Sequence, residues 1–168
     1  MGAGIYGGFG HTKGYNDAIA GDVVFASGEK LYFQYISKRK DIDSNGKYDV
    51  VAHGSDKSIM VRHGNKDIEI NARVASKLIK NRKDYKEGKP IRLLSCNTGN
   101  LDNGFAQNLA NKLGVTVYAP TDIIWARPNG THYIAPYKKG TKLPNNNFRG
   151  RFRKFIPGGN KYGKKRKK

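Results

Sequence analysis

The sequence predicts an α/β domain in which helices flank a mostly parallel central sheet. Between residues 47 and 120, three short apolar runs alternate with two helical stretches; the runs are YDVVAHG, IRLLSC and VTVYAP. Strands that alternate with helices in this way are typical of parallel sheets with crossover connections. None of the three runs shows the polar alternation of a half-exposed strand, which indicates burial on both faces.

The segments before this stretch are predicted to be loop and extended chain. Residues 1–21 are rich in glycine and have the composition of a loop. The runs GDVVFA (21–26) and KLYFQYIS (30–37) are rich in β-branched and aromatic residues, and the triplet SGE between them favours a turn. This pattern predicts a pair of strands ahead of the central sheet.

The next elements are predicted to be a hairpin and a helix. SIMVRHGNKDIEI reads as two strands that turn at Gly64 and Asn65. Asn71 is a suitable N-cap for the helix that follows. In that helix Val74 and Leu78 share an apolar face, as an amphipathic helix requires.

The second helix and a second hairpin complete the predicted order. Asn103 is the expected cap of the helix GFAQNLANKL, and Gly114 is expected to end it. After the strand VTVYAP, the run DIIWARPNGTHYIAP predicts a hairpin around its PNG turn.

Two reactive side chains stand at the ends of predicted strands. His53 ends YDVVAH, and Cys96, the only cysteine, ends IRLLSC. In open α/β sheets ligands bind beyond the carboxyl ends of the strands. If the two strands are neighbours, the side chains meet, and an imidazole that takes the thiol proton makes cysteine a good nucleophile. The pair is therefore a predicted catalytic dyad.

The residues beside the dyad suit acyl transfer. The N–H groups of Gly54 and Cys96 are the predicted donors to an oxyanion, and Gly54 would let backbone approach a substrate closely. Small polar residues around the cysteine would leave room for substrate. They are Ser95, Asn97 and Thr98.

The charge is large and uneven. The chain has 32 Lys and Arg against 13 Asp and Glu, a formal net charge of +19, and no acidic residue follows Asp122. Such asymmetry favours an acidic partner such as nucleic acid, a membrane surface or an acidic protein. We interpret residues 1–137 as one α/β domain and residues 138–168 as a basic, partly disordered tail. The residues expected to bind a polyanion are Arg149, Arg151, Arg153, Lys154, Lys164, Lys165, Arg166, Lys167 and Lys168.

Composition also argues against several classes of site. No apolar run reaches the roughly 18 residues of a membrane span. A single cysteine cannot form an internal disulfide, and no cysteine or histidine cluster has zinc-site spacing. We therefore predict no metal and no cofactor. The first residues lack a secretory signal pattern, so we expect either a piece of a longer protein or a chain that is delivered by other means.

The order of motifs resembles a known group of peptidases. A strand followed by HG, a crossover helix, and a strand followed by SCNTG is similar to the caspase-like clan CD cysteine peptidases. These include the gingipains, the CHAT domains and the self-processing domains of large bacterial toxins. FAQNLANKLGVTVYAPTDIIW resembles their next helix, strand and pocket edge. The resemblance implies a caspase-like, Rossmann-like three-layer fold, with His53 and Cys96 as dyad and a pocket edged by Asp122 and Trp125.

The whole chain also resembles the C-terminal toxin domains of bacterial polymorphic toxins of the rearrangement-hotspot (Rhs) and wall-associated WapA types. That resemblance implies a secreted or cell-surface-delivered effector that acts in the cytoplasm of a target cell. It further implies an acidic cognate immunity protein as partner. The expected activity is a cysteine-dependent, peptidase-like hydrolase.

Two alternatives stay open. A cationic ribonuclease that cleaves tRNA or other RNA would explain the aromatic residues that alternate with Lys and Arg near the C-terminus, since these offer stacking surfaces beside phosphate contacts. A non-catalytic polyanion-binding module would explain the charge alone, with Cys96 simply packed as a small hydrophobic residue.

Overall fold

The structure is a computed structural model that describes residues 23–24, 30–41, 46–63 and 66–159. In chain order its elements are β1 (Val23–Val24), α1 (Lys30–Ile36), β2 (Tyr48–Val51), β3 (Ile59–His63), β4 (Lys66–Ile70), α2 (Ala72–Lys80), β5 (Ile91–Leu94), α3 (Phe105–Leu113), β6 (Val117–Pro120), β7 (Ile124–Ala126), β8 (His132–Ile134) and β9 (Phe152–Phe155).

The central sheet has five strands in the order β1-β2-β5-β6-β9. The first four run parallel, and β9 pairs antiparallel with β6. The three apolar runs of the sequence form β2, β5 and β6, as predicted. The prediction of an α/β fold with a mostly parallel central sheet is therefore confirmed.

Two hydrophobic clusters cover the two faces of this sheet. Side chains alternate along a strand, so Val50 and Leu93 join one cluster whereas Val51 and Leu94 join the other. Helices α2 and α3 contribute to the first cluster. Helix α1 and the β7–β8 hairpin contribute to the second. The domain thus has three layers.

One helix cap follows the prediction and one does not. The Asn71 side chain accepts a hydrogen bond from the N–H of Val74 at 3.0 Å and caps α2. Helix α3 is preceded instead by Gly104, which has no side chain to cap it, so the assignment of Asn103 as N-cap is wrong. The N–H of Phe105 donates to the carbonyl of Asp56 at 2.8 Å, which ties α3 to the loop after β2. Gly114 ends α3 with a φ of +70°, as expected.

The predicted strand at residues 30–37 is wrong, because residues 30–36 form helix α1. Phe33 and Ile36, three positions apart, are both fully buried, whereas Gln34 between them is exposed. That is a helical period. The other member of the predicted strand pair, β1, pairs in parallel with β2 instead.

Both predicted hairpins form. β3 pairs antiparallel with β4, and β7 with β8; the Gly64–Asn65 turn lies outside the described residues. The β3–β4 hairpin lies within the connection from β2 to β5. None of the helices in the described ranges is long and apolar enough to cross a membrane.

The boundary drawn after residue 137 is wrong, because the basic segment adds a strand to the central sheet. Phe152 pairs with Pro120 and Phe155 with Val117 across β6. Phe155 is buried in the same cluster as α2 and α3. The two phenylalanines of FRKF stabilise this strand despite the charged residues between them, so the single domain extends at least to residue 159.

Candidate active site

His53 and Cys96 lie at the same edge of the sheet, beyond two neighbouring parallel strands. Val51 at the end of β2 pairs with Leu94 at the end of β5. His53 follows Val51 by two positions, and Cys96 follows Leu94 by two positions. The two segments therefore leave the sheet at the same level. The prediction that the two strands are neighbours is confirmed.

Gly54 brings the two strand ends into direct contact. A Cβ at this position would lie 2.9 Å from the carbonyl oxygen of Cys96, and equally close to side-chain carbons of Ser95 and Thr98. Real Cβ atoms do not approach backbone so closely, so glycine is needed here. The histidine loop therefore packs directly on the cysteine loop.

The chain turns sharply after Cys96. Asn97 has a φ of +63°, a left-handed conformation that asparagine adopts more readily than most residues. Its N–H donates to the carbonyl of Asp122 at 3.0 Å. The hydroxyl of Thr98 donates to the carbonyl of Ser95 at 2.8 Å. These bonds fix the cysteine between the ends of β5 and β6.

The loop after His53 is also held by hydrogen bonds. The His53 carbonyl accepts from the N–H of Met60 at 2.9 Å, and the N–H of Ser55 donates to the carbonyl of Ser58 at 2.9 Å. Within the described part of the chain, no backbone carbonyl accepts from the N–H of Gly54. This N–H is the one predicted to donate to an oxyanion. His53 itself is exposed.

His53, Cys96 and Trp125 line one cavity of about 390 Å³. Its other walls are mostly apolar and aromatic, with one cation. They include Tyr32, Tyr35, Ile123, Ile124, Tyr137 and Lys142. An imidazole and a thiol that open into one cavity are the groups that thiol-dependent acyl transfer requires.

Helix α1 supplies cavity residues that the sequence did not reveal. The hydroxyl of Tyr32 donates to the carbonyl of Leu94, at the end of β5, at 2.9 Å. Burial raises the pKa of Tyr32 well above its ordinary value, and the nearby sulfur of Cys96 raises it further. Tyr32 therefore stays a neutral donor. The helical spacing of Phe33 and Ile36 was the pattern that could have placed Tyr32 and its neighbours correctly.

Trp125 lies in the aromatic wall of the cavity and is held there by several contacts. Its indole N–H donates to the carbonyl of Ala135 at 2.9 Å. Its ring stacks on Tyr133 with centroids 6.4 Å apart and meets Tyr137 edge-on at 5.9 Å. Trp125 thus lines the cavity, and its expected role at the edge of a substrate pocket stays a prediction.

The other predicted pocket residues do not line this cavity. Ser95 and Thr98 are completely buried, so their assignment to the substrate pocket is corrected. The hydroxyl of Ser95 has no hydrogen-bond partner among the described residues. Asn97 and Asp122 are partly exposed beside the site. The carboxylate of Asp122 accepts from the hydroxyl of Thr121 at 2.8 Å.

Asp49 on β2 and Arg92 on β5 form an ionic cluster with Arg39 and Asp41 from the segment after α1; all but Asp41 are buried. Asp49 accepts from Arg39 at 2.8 Å and from Arg92 at 2.6 and 2.8 Å. The second guanidinium also pairs with Asp41 at 2.7 Å. That hydrogen bond with Arg92 lowers the pKa of Asp41 to about 2.

The predicted polyanion-binding residues differ in availability. Arg149, Arg151 and Lys154 are exposed. Arg153 instead pairs with Asp102 at 2.7 Å and donates to the carbonyl of Gly99 at 3.1 Å, so it has a structural role. Lys164, Lys165, Arg166, Lys167 and Lys168 lie outside the described residues. No cluster of three or more metal-ligating side chains occurs in the described ranges.

Comparison with known proteins identifies a family without an assigned activity. The model of a domain of unknown function, DUF8616, matches residues 21–134, and the chain belongs to this family. The matched region contains both His53 and Cys96. No curated protein and no solved structure matches the chain.

Proposed function

We propose that this member of the DUF8616 family is a cysteine-dependent hydrolase of the peptidase type. Cys96 is the nucleophile and His53 its general base. The observation that carries the proposal is the register of β2 on β5, which sets both residues at one sheet edge and in one cavity. The close contact of Gly54 with the Cys96 carbonyl supports it.

The reaction would follow the usual order of thiol-dependent acyl transfer. His53 takes the thiol proton while the sulfur of Cys96 attacks the acyl carbon, which forms a tetrahedral oxyanion. Collapse of this intermediate breaks the carbon–nitrogen bond, and the imidazolium returns its proton to the leaving amine. Water then hydrolyses the thioester, with His53 again as base. The N–H groups of Gly54 and Cys96 would stabilise both oxyanions.

The proposal is tested with Cys96→Ala and His53→Ala on a mixture of short peptides. Both variants should lose at least about 1000-fold in kcat/KM, since removing a nucleophile or its base removes most of the catalysis. Circular dichroism should show that the fold remains. Residual peptide cleavage at the wild-type rate by Cys96→Ala would refute the proposal.

The biological setting that we propose is a toxin effector acting in the cytoplasm of a target bacterium. The net charge of +19 supports a strongly acidic immunity partner. Expression of the wild-type domain in a bacterial cytoplasm should arrest growth, and Cys96→Ala should not. Equal growth of cells expressing either form would argue against a toxin that depends on the cysteine.

One observation supports a second candidate, the ribonuclease. Tyr137 and Phe148 are 50% and 67% exposed, and Lys138 and Lys139 lie beside Tyr137 in the chain. Exposed rings among cations can stack on bases while the ammonium groups contact phosphates. RNA cleavage that survives Cys96→Ala would favour this candidate over the hydrolase.

A further inference from the structure

Two arginines converge on one tyrosine near the cavity. The guanidinium carbon of Arg127 lies 4.5 Å from the ring centroid of Tyr133, and that of Arg149 lies 4.3 Å from it. Both arginines are exposed. They are 22 positions apart in the sequence, so only the fold brings the two cations together.

Both guanidinium groups are held in place by other contacts. Arg127 donates to the hydroxyl of Thr131 at 3.2 Å, and Arg149 donates to the side chain of Asn146 at 3.3 Å. The residue after Arg149, Gly150, donates its N–H to the carbonyl of Ile134 at 2.9 Å. This bond fixes the chain against β8. Cations held in this way lose little conformational freedom when they bind an anion.

The positive charge of this pair is not neutralised by the part of the chain that the structure describes. No carboxylate there forms an ion pair with Arg127 or Arg149. In contrast, Arg92 and Arg153 each pair with an aspartate. An anion that binds both guanidiniums would be attracted by two cations whose charge no carboxylate of the described residues offsets.

The pair lies one aromatic ring away from the candidate active site. Tyr133 stacks on Trp125, and Trp125 lines the cavity that holds Cys96. Lys142 adds a third cation on the cavity wall. The arginines therefore contact a ring that packs on one wall of the cavity.

We propose that Arg127 and Arg149 form an anion clamp that binds a carboxylate of an acidic polypeptide substrate while an adjacent segment enters the Cys96 cavity. Guanidinium edges suit carboxylates because they can donate two parallel hydrogen bonds. A nucleic acid fits less well, because Tyr133 already contacts Trp125 and both guanidiniums and offers little free ring face to a base. The substrate role depends on the proposed hydrolase, whereas binding by the clamp does not.

Binding is measured with the full chain carrying Cys96→Ala, which prevents turnover. The probes are labelled hexaglutamate, hexaglutamine of equal length and a hexauridylate RNA. Arg127→Gln and Arg149→Gln should each weaken hexaglutamate binding about tenfold, as expected for loss of a charge-assisted hydrogen bond. Arg→Lys should be intermediate, since lysine keeps the charge without the planar fork.

The matched control removes two positive charges elsewhere. Arg73 and Lys77 are exposed on α2, which packs on the opposite face of the sheet. Arg73→Gln with Lys77→Gln should change hexaglutamate affinity less than about threefold, because only long-range charge is lost. An equal loss in this control would overturn the clamp. Arginine-dependent binding of hexauridylate without binding of hexaglutamate would also overturn it, in favour of nucleic acid.

A second readout separates this proposal from the hydrolase. In the protein with Cys96 intact, the two Arg→Gln changes should raise KM for an acidic peptide and leave kcat/KM for a neutral peptide unchanged. An unchanged KM for the acidic peptide in both Arg→Gln variants would refute the clamp but not the hydrolase. Arginine-dependent binding without any cleavage would refute the hydrolase alone.

Discussion

Two facing pairs of residues, one within strands β2 and β5 and one just beyond them, differ in their surroundings. Within the strands, Asp49 pairs in register with Arg92, and the carboxylate accepts hydrogen bonds from two guanidiniums. Beyond the strands, His53 and Cys96 open into a cavity. The inner pair has a structural role, whereas the outer pair lines the cavity.

The inner pair explains how the outer pair stays aligned. A slip of one residue between β2 and β5 would move every side chain to the other face. Asp49 and Arg92 would then no longer form their buried ion pair, and a buried charge without a counter-charge costs free energy of folding. The ionic cluster therefore specifies the register that places His53 beside Cys96.

Breaking the inner pair should have the largest effect on stability. Asp49→Asn removes the buried carboxylate that Arg39 and Arg92 share and should lower the free energy of unfolding by about 3–5 kcal/mol. Urea denaturation measures this. Asp102→Asn is the control, because its carboxylate is 69% exposed and the change should cost less than about 1 kcal/mol. Equal losses would show that burial of the ionic cluster is not the cause.

Forcing the two strand ends apart should have the next largest effect. Gly54→Ala places a methyl group against the Cys96 carbonyl and should cost about 1–3 kcal/mol through overpacking. Peptide hydrolysis should fall more than tenfold because His53 moves away from Cys96. Gly88→Ala, with φ +90° and open space around it, controls for backbone strain and should leave activity unchanged. Full activity in Gly54→Ala would contradict the importance of this contact.

Removing the unpaired hydroxyl beside Cys96 should have a small, favourable effect. Ser95→Ala deletes a buried group without a hydrogen-bond partner among the described residues. The free energy of unfolding should therefore stay equal or rise by about 1 kcal/mol, with peptide hydrolysis unchanged. A large loss of peptide hydrolysis at constant stability would instead support the assignment of Ser95 to the substrate pocket.

The smallest effect on stability is expected for Asp41, at the exposed edge of the ionic cluster, at low pH. The pKa of Asp41 is lowered to about 2 by its hydrogen bond with Arg92, so its contribution is present above the ordinary carboxyl pKa of about 4. It is lost as the pH falls toward 2. Asp41→Asn should flatten the pH dependence of stability in that window. The effect is small because the carboxylate is 41% exposed. An unchanged slope would show that the pair does not stabilise the fold.

The sequence predicts the sheet and the dyad because both follow from local patterns. Buried apolar runs form parallel strands, and polar residues directly after them reach the same edge. Local sequence patterns do not predict helix α1. Its aromatic residues favour a strand locally, and the helix forms because Phe33 and Ile36 pack on Val51 and Leu94.

Two other features depend on contacts that local patterns do not show. Strand β9 lies in a basic segment and pairs with residues of β6 that are 32 to 38 positions earlier, so charge alone suggested a tail. Ser95 and Thr98 lie on either side of the left-handed turn at Asn97, and the hydroxyl of buried Thr98 donates to the carbonyl of buried Ser95.

The most direct test of the dyad is the rate at which iodoacetamide alkylates Cys96, the only cysteine in the chain. Only the thiolate reacts, and ordinary thiols ionise near pH 8.5. At pH 6.5 the wild type should react at least about tenfold faster than His53→Ala, because the imidazole activates the thiol. His53 is exposed, so the variant should unfold at the same urea concentration as the wild type. Equal alkylation rates in two equally stable proteins would contradict the activation of Cys96 by His53.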